Sequence, residues 1–338
     1  MSRFVPAEWA PHRAMWLGYP SHAELWQADL EPAREDVAAL ARALAGPGAE
    51  RVRLLACDEA AASDARLRLR GQEQVEIVTA AFGDIWLRDT GPIFLNQTPG
   101  GSARPVAVGF RFNGWGGKYV LAGDDTVGQA IANEAGAELE RRAVVIEGGA
   151  LEHDGLGTVI TTAQCLLNPN RNPGWTQADA EAELRQALGA RAVLWLGEGL
   201  LNDHTDGHVD NLARFVAPGV VACPSPSGED DPNADAYEDA ASRLAQMRDA
   251  TGRMLEVARI PSPGALFDEE GQAIPASHMN FLIANRAVIL PTYEDRFAPL
   301  AQAALTKLFP DRQVIALPAN AILTGGGSFH CISQQEPA

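Results

Sequence analysis

The chain has 338 residues, 46% of them apolar and 21% charged, a balance that excludes wholesale disorder and permits a large core. Acidic side chains outnumber basic ones 44 to 27, and the resulting net charge of −17 argues against nucleic acid and membrane surfaces as partners. The cysteines at 57, 165, 223 and 331 are too few and too scattered for a disulfide framework, and no run of 18 apolar residues offers a membrane span. Lacking a leader-like apolar stretch at its start, the chain is expected to be cytoplasmic.

In chain order, an apolar stripe (Val37, Leu40, Ala41, Leu44) predicts a helix over 31–44, stopped by Gly46-Pro47-Gly48. Short apolar runs beside turn residues predict strands at 52–57, 75–79, 106–110, 144–146 and 159–162. Helical periodicity returns at 177–188, 235–251 and 297–309, interleaved with strands at 193–196, 220–223, 287–290 and 314–317. Strands and helices thus alternate throughout, which indicates an α/β fold. An internal echo sharpens this. Phe215-Val-Ala-Pro-Gly-Val-Val-Ala-Cys-Pro224 aligns with Leu282-Ile-Ala-Asn-Arg-Ala-Val-Ile-Leu-Pro291, each reading strand, tight turn, strand, proline. The stretch around Gly155 leading into Val159 holds a similar place, so the chain is expected to be an array of similar units.

Four places carry candidate chemistry. Cys331 follows Gly325-Gly326-Gly327, where bare backbone can approach a ligand. Asp203, His204, Asp206, His208 and Asp210 crowd into eight positions predicted to enter a strand, which would put 208 and 210 on one face. The spacing is not H-E-x-x-H, and Gly207 argues against a helical metal site. Asp89 closes the segment Asp84-Ile-Trp86-Leu-Arg88-Asp89-Thr-Gly-Pro92, read as extended with a Gly-Pro turn. Glu147-Gly-Gly149 places a carboxylate at a strand end. Each site alone is open to a structural reading as a turn cap or core filler.

Taken together, the ordered motifs D-I-W-L-R-D-T-G-P, N-G-W-G-G-K-Y, E-G-G-A-L-E, C-L-L-N-P-N-R-N-P, T-D-G-H-V-D-N and G-G-G-S-F-H-C-I-S-Q-Q span nearly the whole chain. They resemble the agmatine deiminase family, which includes the bacterial-type peptidylarginine deiminases of the guanidine-modifying superfamily. The resemblance implies a single catalytic domain over 1–338, a five-bladed α/β propeller of ββαβ-type units around a central site. It implies Cys331 as nucleophile, His208 as general acid/base, and Glu147 as the group orienting His208. Asp89 and Asp210 would grip the guanidinium, with Trp86, His204 and Gly326 lining the substrate channel. No cofactor or metal is expected, the substrate is a small cationic guanidine, and a homodimer is the family expectation.

Agmatine hydrolysis to N-carbamoylputrescine and ammonia is the activity the resemblance implies. Deimination of arginine, methylarginine or peptidylarginine, or non-catalytic guanidine binding, stand as alternatives. One position departs from the family pattern. Agmatine deiminases often carry an acid four residues before the histidine, and this chain has His204 there. Asp203, Asp206, Glu152 and Asp154 are candidate substitutes; a free-arginine enzyme would instead need a cation, with Arg88 and Arg111 available.

Overall fold

A computed structural model describes residues 3–95 and 105–338. The described residues form five sheets that succeed one another along the chain. Four are three-stranded. They comprise Ile93–Phe94, Val106–Arg111 and Glu138–Val145; Glu152–His153, Thr158–Thr162 and Ala192–Leu196; Arg214–Ala217, Val220–Ser225 and Glu256–Pro261; and Leu282–Ile283, Ala287–Thr292 and Gln313–Pro318. In each, the first two strands pair antiparallel and the last two parallel. The remaining sheet joins the two ends of the chain: Ser333–Pro337 lies antiparallel on His12–Gly18, followed by parallel Val52–Ala56 and Val75–Thr79. This is the α/β array of repeated units expected from the echo, whose two copies form the hairpins at 214–225 and 282–292.

Parallel neighbours require a crossover, and a helix supplies each one: Leu30–Ala45, Glu59–Arg68, Val127–Glu134, Gln177–Leu188, Ala234–Leu244 and Ala298–Leu308. The helix Gln177–Leu188 shows why. Thr176 and Asp179 form a reciprocal capping box at its start, and Gly189, left-handed at φ 74°, ends it. Between them Ala180, Leu184, Ala187 and Leu188 bury one stripe against the sheet.

Three expectations need correction. The helix predicted over 235–251 ends at Leu244, because the Asp249 carboxylate accepts from the N–H groups of Thr251 and Arg253 and builds a turn instead. Residues 87–90 form one helical turn rather than an extended segment. The run 208–210 does not enter a strand: Asp206 and Gly207 take left-handed backbone (φ 64° and 84°), and Val209–Asn211 make a single 3-10 turn before the strand at Arg214. The face-sharing reasoning for His208 and Asp210 therefore fails, although both side chains end up buried.

The repeat has a functional consequence. The segment leading into the first strand of every sheet carries one of the residues considered below. Asp89 precedes Ile93, Glu147 precedes Glu152, Asp210 precedes Arg214, Asn280 precedes Leu282 and Cys331 precedes Ser333. Five equivalent junctions converge on one place.

Candidate active site

A cavity of about 240 Å³ opens above Cys331. Buried Trp26, Trp86, Trp115 and Asp89 wall it together with Gly325, Gly326 and Gly327, and Leu25, Tyr119 and His204 stand exposed to solvent. The glycines are obligatory for shape. A side chain at Gly327 would meet Trp86 at 2.5 Å and Cys331 at 3.1 Å, and one at Gly325 would strike both Trp26 and Trp86. Those two tryptophans stack at 6.3 Å and are tied by their indole N–H groups to one buried carboxylate, Asp84. Trp115 sits on left-handed backbone (φ 52°), an uncommon conformation for a bulky residue, and its indole N–H donates to Asp89 Oδ2 at 2.9 Å.

Cys331 is 7% exposed, and its sulfur lies 3.6 Å from Asp210 Oδ2. Asn280, unforeseen in the sequence, donates its side-chain N–H to that sulfur at 3.1 Å. Burial, then the charges of Asp210 and Asp89, push the thiol well above its ordinary pKa. Asp89 itself is pushed up to about 6, chiefly by burial, while His208 draws it down.

His208 is buried between two carboxylates, with Nδ1 3.7 Å from Asp89 Oδ1 and Nε2 3.9 Å from Glu147 Oε2. Neither ring nitrogen has a hydrogen-bond partner among the described residues. Burial favours the neutral ring, but Asp89, Cys165 and Glu147 outweigh it and raise the imidazole well above its usual value, so it is held as a cation. Gly149 makes this possible. Its N–H donates to Asp89 Oδ1 at 2.9 Å, and a Cβ there would lie 2.5 Å from His208 Nδ1.

Behind this layer stands a buried ionic frame. Arg171 donates to Glu147 Oε1 at 2.7 Å and to Asp206. Burial works to raise the Glu147 carboxyl, yet His208 and Arg171 hold it below the usual carboxylate range. Asp210 accepts from His330 at 2.8 Å; His330 also meets Glu8, and Glu8 pairs with the fully buried Arg214. The other oxygen of Asp210, Oδ1, has no hydrogen-bond partner among the described residues. Glu147, Cys165 and His208 bring their donor atoms within 4.8 Å of one another. Arg171 and the cationic imidazole oppose a metal ion at that spot.

The structure thus gathers Cys331, Asp89, Trp86, His204 and Gly326 around the cavity, with His208, Glu147 and Asp210 buried behind it. The substitutes considered for the missing acid are occupied elsewhere. Asp206 binds Lys118 and Arg171, Glu152 binds Arg214, Asp154 ties down Leu156 and Thr158, and Asp203 accepts from Thr205. Arg88 is locked onto Gln334, Gln335 and Ser333, and neither it nor Arg111 lines the cavity. Asn280 was discoverable from the repeat: the junction before Leu282 had no assigned residue, and this one amide interrupts Met279 and Phe281.

The family profile of the Porphyromonas-type peptidyl-arginine deiminases matches residues 4–337. The chain belongs to that family. Among its relatives is an agmatine deiminase of Pseudomonas aeruginosa, 38% identical, the match covering 99% of this chain and 95% of the relative. Among solved structures, an agmatine deiminase of Enterococcus faecalis superimposes with a TM-score of 0.92 at 32% identity, covering 99% of this chain and 96% of that one. A cysteine-to-serine agmatine deiminase of C. jejuni with substrate bound gives a TM-score of 0.89 at 27% identity, covering 100% of this chain and 97% of the other. Family membership and the five-sheet α/β plan expected from the motifs are therefore established.

Proposed function

We propose that this family member hydrolyses agmatine to N-carbamoylputrescine and ammonia, the whole chain working as one catalytic domain in the cytoplasm. The observation that carries the reading is the lining of the cavity above Cys331: three aspartates (29, 84 and 89) and no lysine or arginine among the described residues. A dication is attracted by such walls, whereas the α-carboxylate of free arginine finds no cation to meet it. The names of the relatives point the same way.

A guanidinium is planar, charged and a poor electrophile. Asp89, joined by the free oxygen of Asp210, supplies acceptors for its N–H edges and holds its carbon before the sulfur. In the empty site those carboxylates oppose thiolate formation; the entering cation reverses their effect, and Cys331 ionises as substrate binds. The thiolate adds to the guanidinium carbon. The His208 cation then gives a proton to the departing nitrogen, ammonia leaves, and an S-alkylthiouronium remains on Cys331. Neutral His208 next takes a proton from water, whose oxygen adds to the same carbon. That adduct expels the thiolate and sheds its hydroxyl proton to give the ureido product. Proton transfer of this kind contributes about 10²–10⁴-fold. Glu147, held by Arg171, keeps the imidazole placed and charged for the first transfer.

Ammonia release from agmatine, arginine, methylarginine and a peptidylarginine, compared side by side, tests the reading. Agmatine should give the largest kcat/KM. Arginine or peptidylarginine in first place would overturn the assignment.

A further inference from the structure

The outer part of the cavity holds one carboxylate with no task in the fold. Asp29 lines the same cavity as Cys331 and directly precedes the helix Leu30–Ala45. An aspartate at that position ordinarily accepts a hydrogen bond from the first turn of its helix. Here its backbone is already helical (φ −85°, ψ −5°) and the side chain makes no capping bond. No described residue offers it a hydrogen bond or an ion pair. Arg34, the next cation along the helix, is engaged by Glu31 and by the carbonyl of Pro20.

The charge distribution at the opening favours the Asp29 side. His204, at the position where an acid is expected, shares Nδ1 with the Tyr119 hydroxyl at 3.2 Å. Its carbonyl accepts from the Lys118 ammonium at 2.8 Å, and Asp206 pairs with that same ammonium. At His204 an incoming ammonium meets no unengaged carboxylate among the described residues, whereas Asp29 offers one in the same cavity. Leu25, Trp26 and Trp86 line the same cavity with apolar surface suited to a methylene chain.

We propose that Asp29 receives the distal ammonium of an ω-aminoalkylguanidine, taking over from a different element the charge recognition that His204 does not supply. This rests on the agmatine reading above. Substrate length is thereby set between two aspartates: Asp89 at the guanidinium and Asp29 at the amine.

The test compares kcat/KM for agmatine with that for n-butylguanidine, which lacks the amine, in the wild-type chain and in Asp29→Asn, Asp29→Glu and His204→Ala. Asp29→Asn should shrink the preference for agmatine by roughly tenfold, the scale of a half-exposed charge-assisted contact. Asp29→Glu should retain part of the preference. Thermal melting should barely move in Asp29→Asn, since no native bond is lost. An unchanged preference in Asp29→Asn overturns the proposal, as does a preference abolished in His204→Ala alone. Wild-type protein that releases no ammonia from agmatine would overturn the underlying reading too, and that result is visible before any substitution is made.

Discussion

The side-chain amide of Asn280 holds Cys331 from two directions. Its N–H donates to the sulfur at 3.1 Å, while its carbonyl accepts the backbone N–H groups of His330 at 2.8 Å and Cys331 at 3.2 Å. One buried residue thus fixes the position of the thiol and partly offsets the carboxylates that oppose its ionisation.

Asn280→Ala is expected to lower kcat roughly 10- to 100-fold, the scale of a lost hydrogen bond to a charged group. Asn280→Asp keeps the shape but adds an anion beside the sulfur. It should therefore slow iodoacetamide alkylation of Cys331 more than the alanine variant does. Equal rates for the two would mean that Asn280 acts through packing alone.

The pH dependence follows from Asp89. Its carboxyl is raised to about 6 by burial, and it must be ionised to hold a guanidinium. The kcat/KM profile, which reports the free protein, should be steepest below a break near 6, where Asp89 ionises, and go on rising above it with the Cys331 thiolate. Bound cation favours the carboxylate, so the corresponding limb in kcat should lie lower. Because the flanking carboxylates keep His208 protonated well above its usual range, activity should persist to the alkaline side of neutrality. Steady-state profiles of both parameters check the order of the two limbs.

Gly149→Ala addresses the space around the imidazole. The added methyl would lie 2.5 Å from His208 Nδ1 and 2.8 Å from Asp89 Oδ1, and both side chains are walled in. Overpacking of this kind costs about 1–3 kcal/mol. A lower melting temperature with a drop in kcat of at least tenfold is expected, since displacement of His208 affects both proton transfers.

The ionisation of Cys331 gives a fourth test. An unreactive guanidine filling the cavity should lower the apparent pKa of its alkylation, because the cation neutralises the field of Asp89 and Asp210. A neutral urea of the same shape should leave that pKa in place. The difference between the two ligands isolates charge from simple occupancy.

Strand and helix positions were readable where period and turn chemistry agreed: Gln177–Leu188 and Val75–Thr79 fall where their patterns predict. The residues around Asp89 and His208 were misread for a physical reason. Leu87–Thr90 and Val209–Asn211 are single helical turns too short to show any period, and their shape is set by burial of the charges they carry. The ionic frame was hidden likewise. Glu8, Arg214 and His330 meet only because the two ends of the chain share a sheet with the final junction beside it.

The central claim is that the Cys331 sulfur becomes bonded to the guanidinium carbon. Mass analysis of the Cys331 peptide, acid-quenched during agmatine turnover, tests it most directly. The expected result is a transient adduct equal to agmatine less ammonia, absent from Cys331→Ser. An unmodified peptide throughout turnover, together with a Cys331→Ser variant that still releases ammonia at the wild-type rate, would contradict the account.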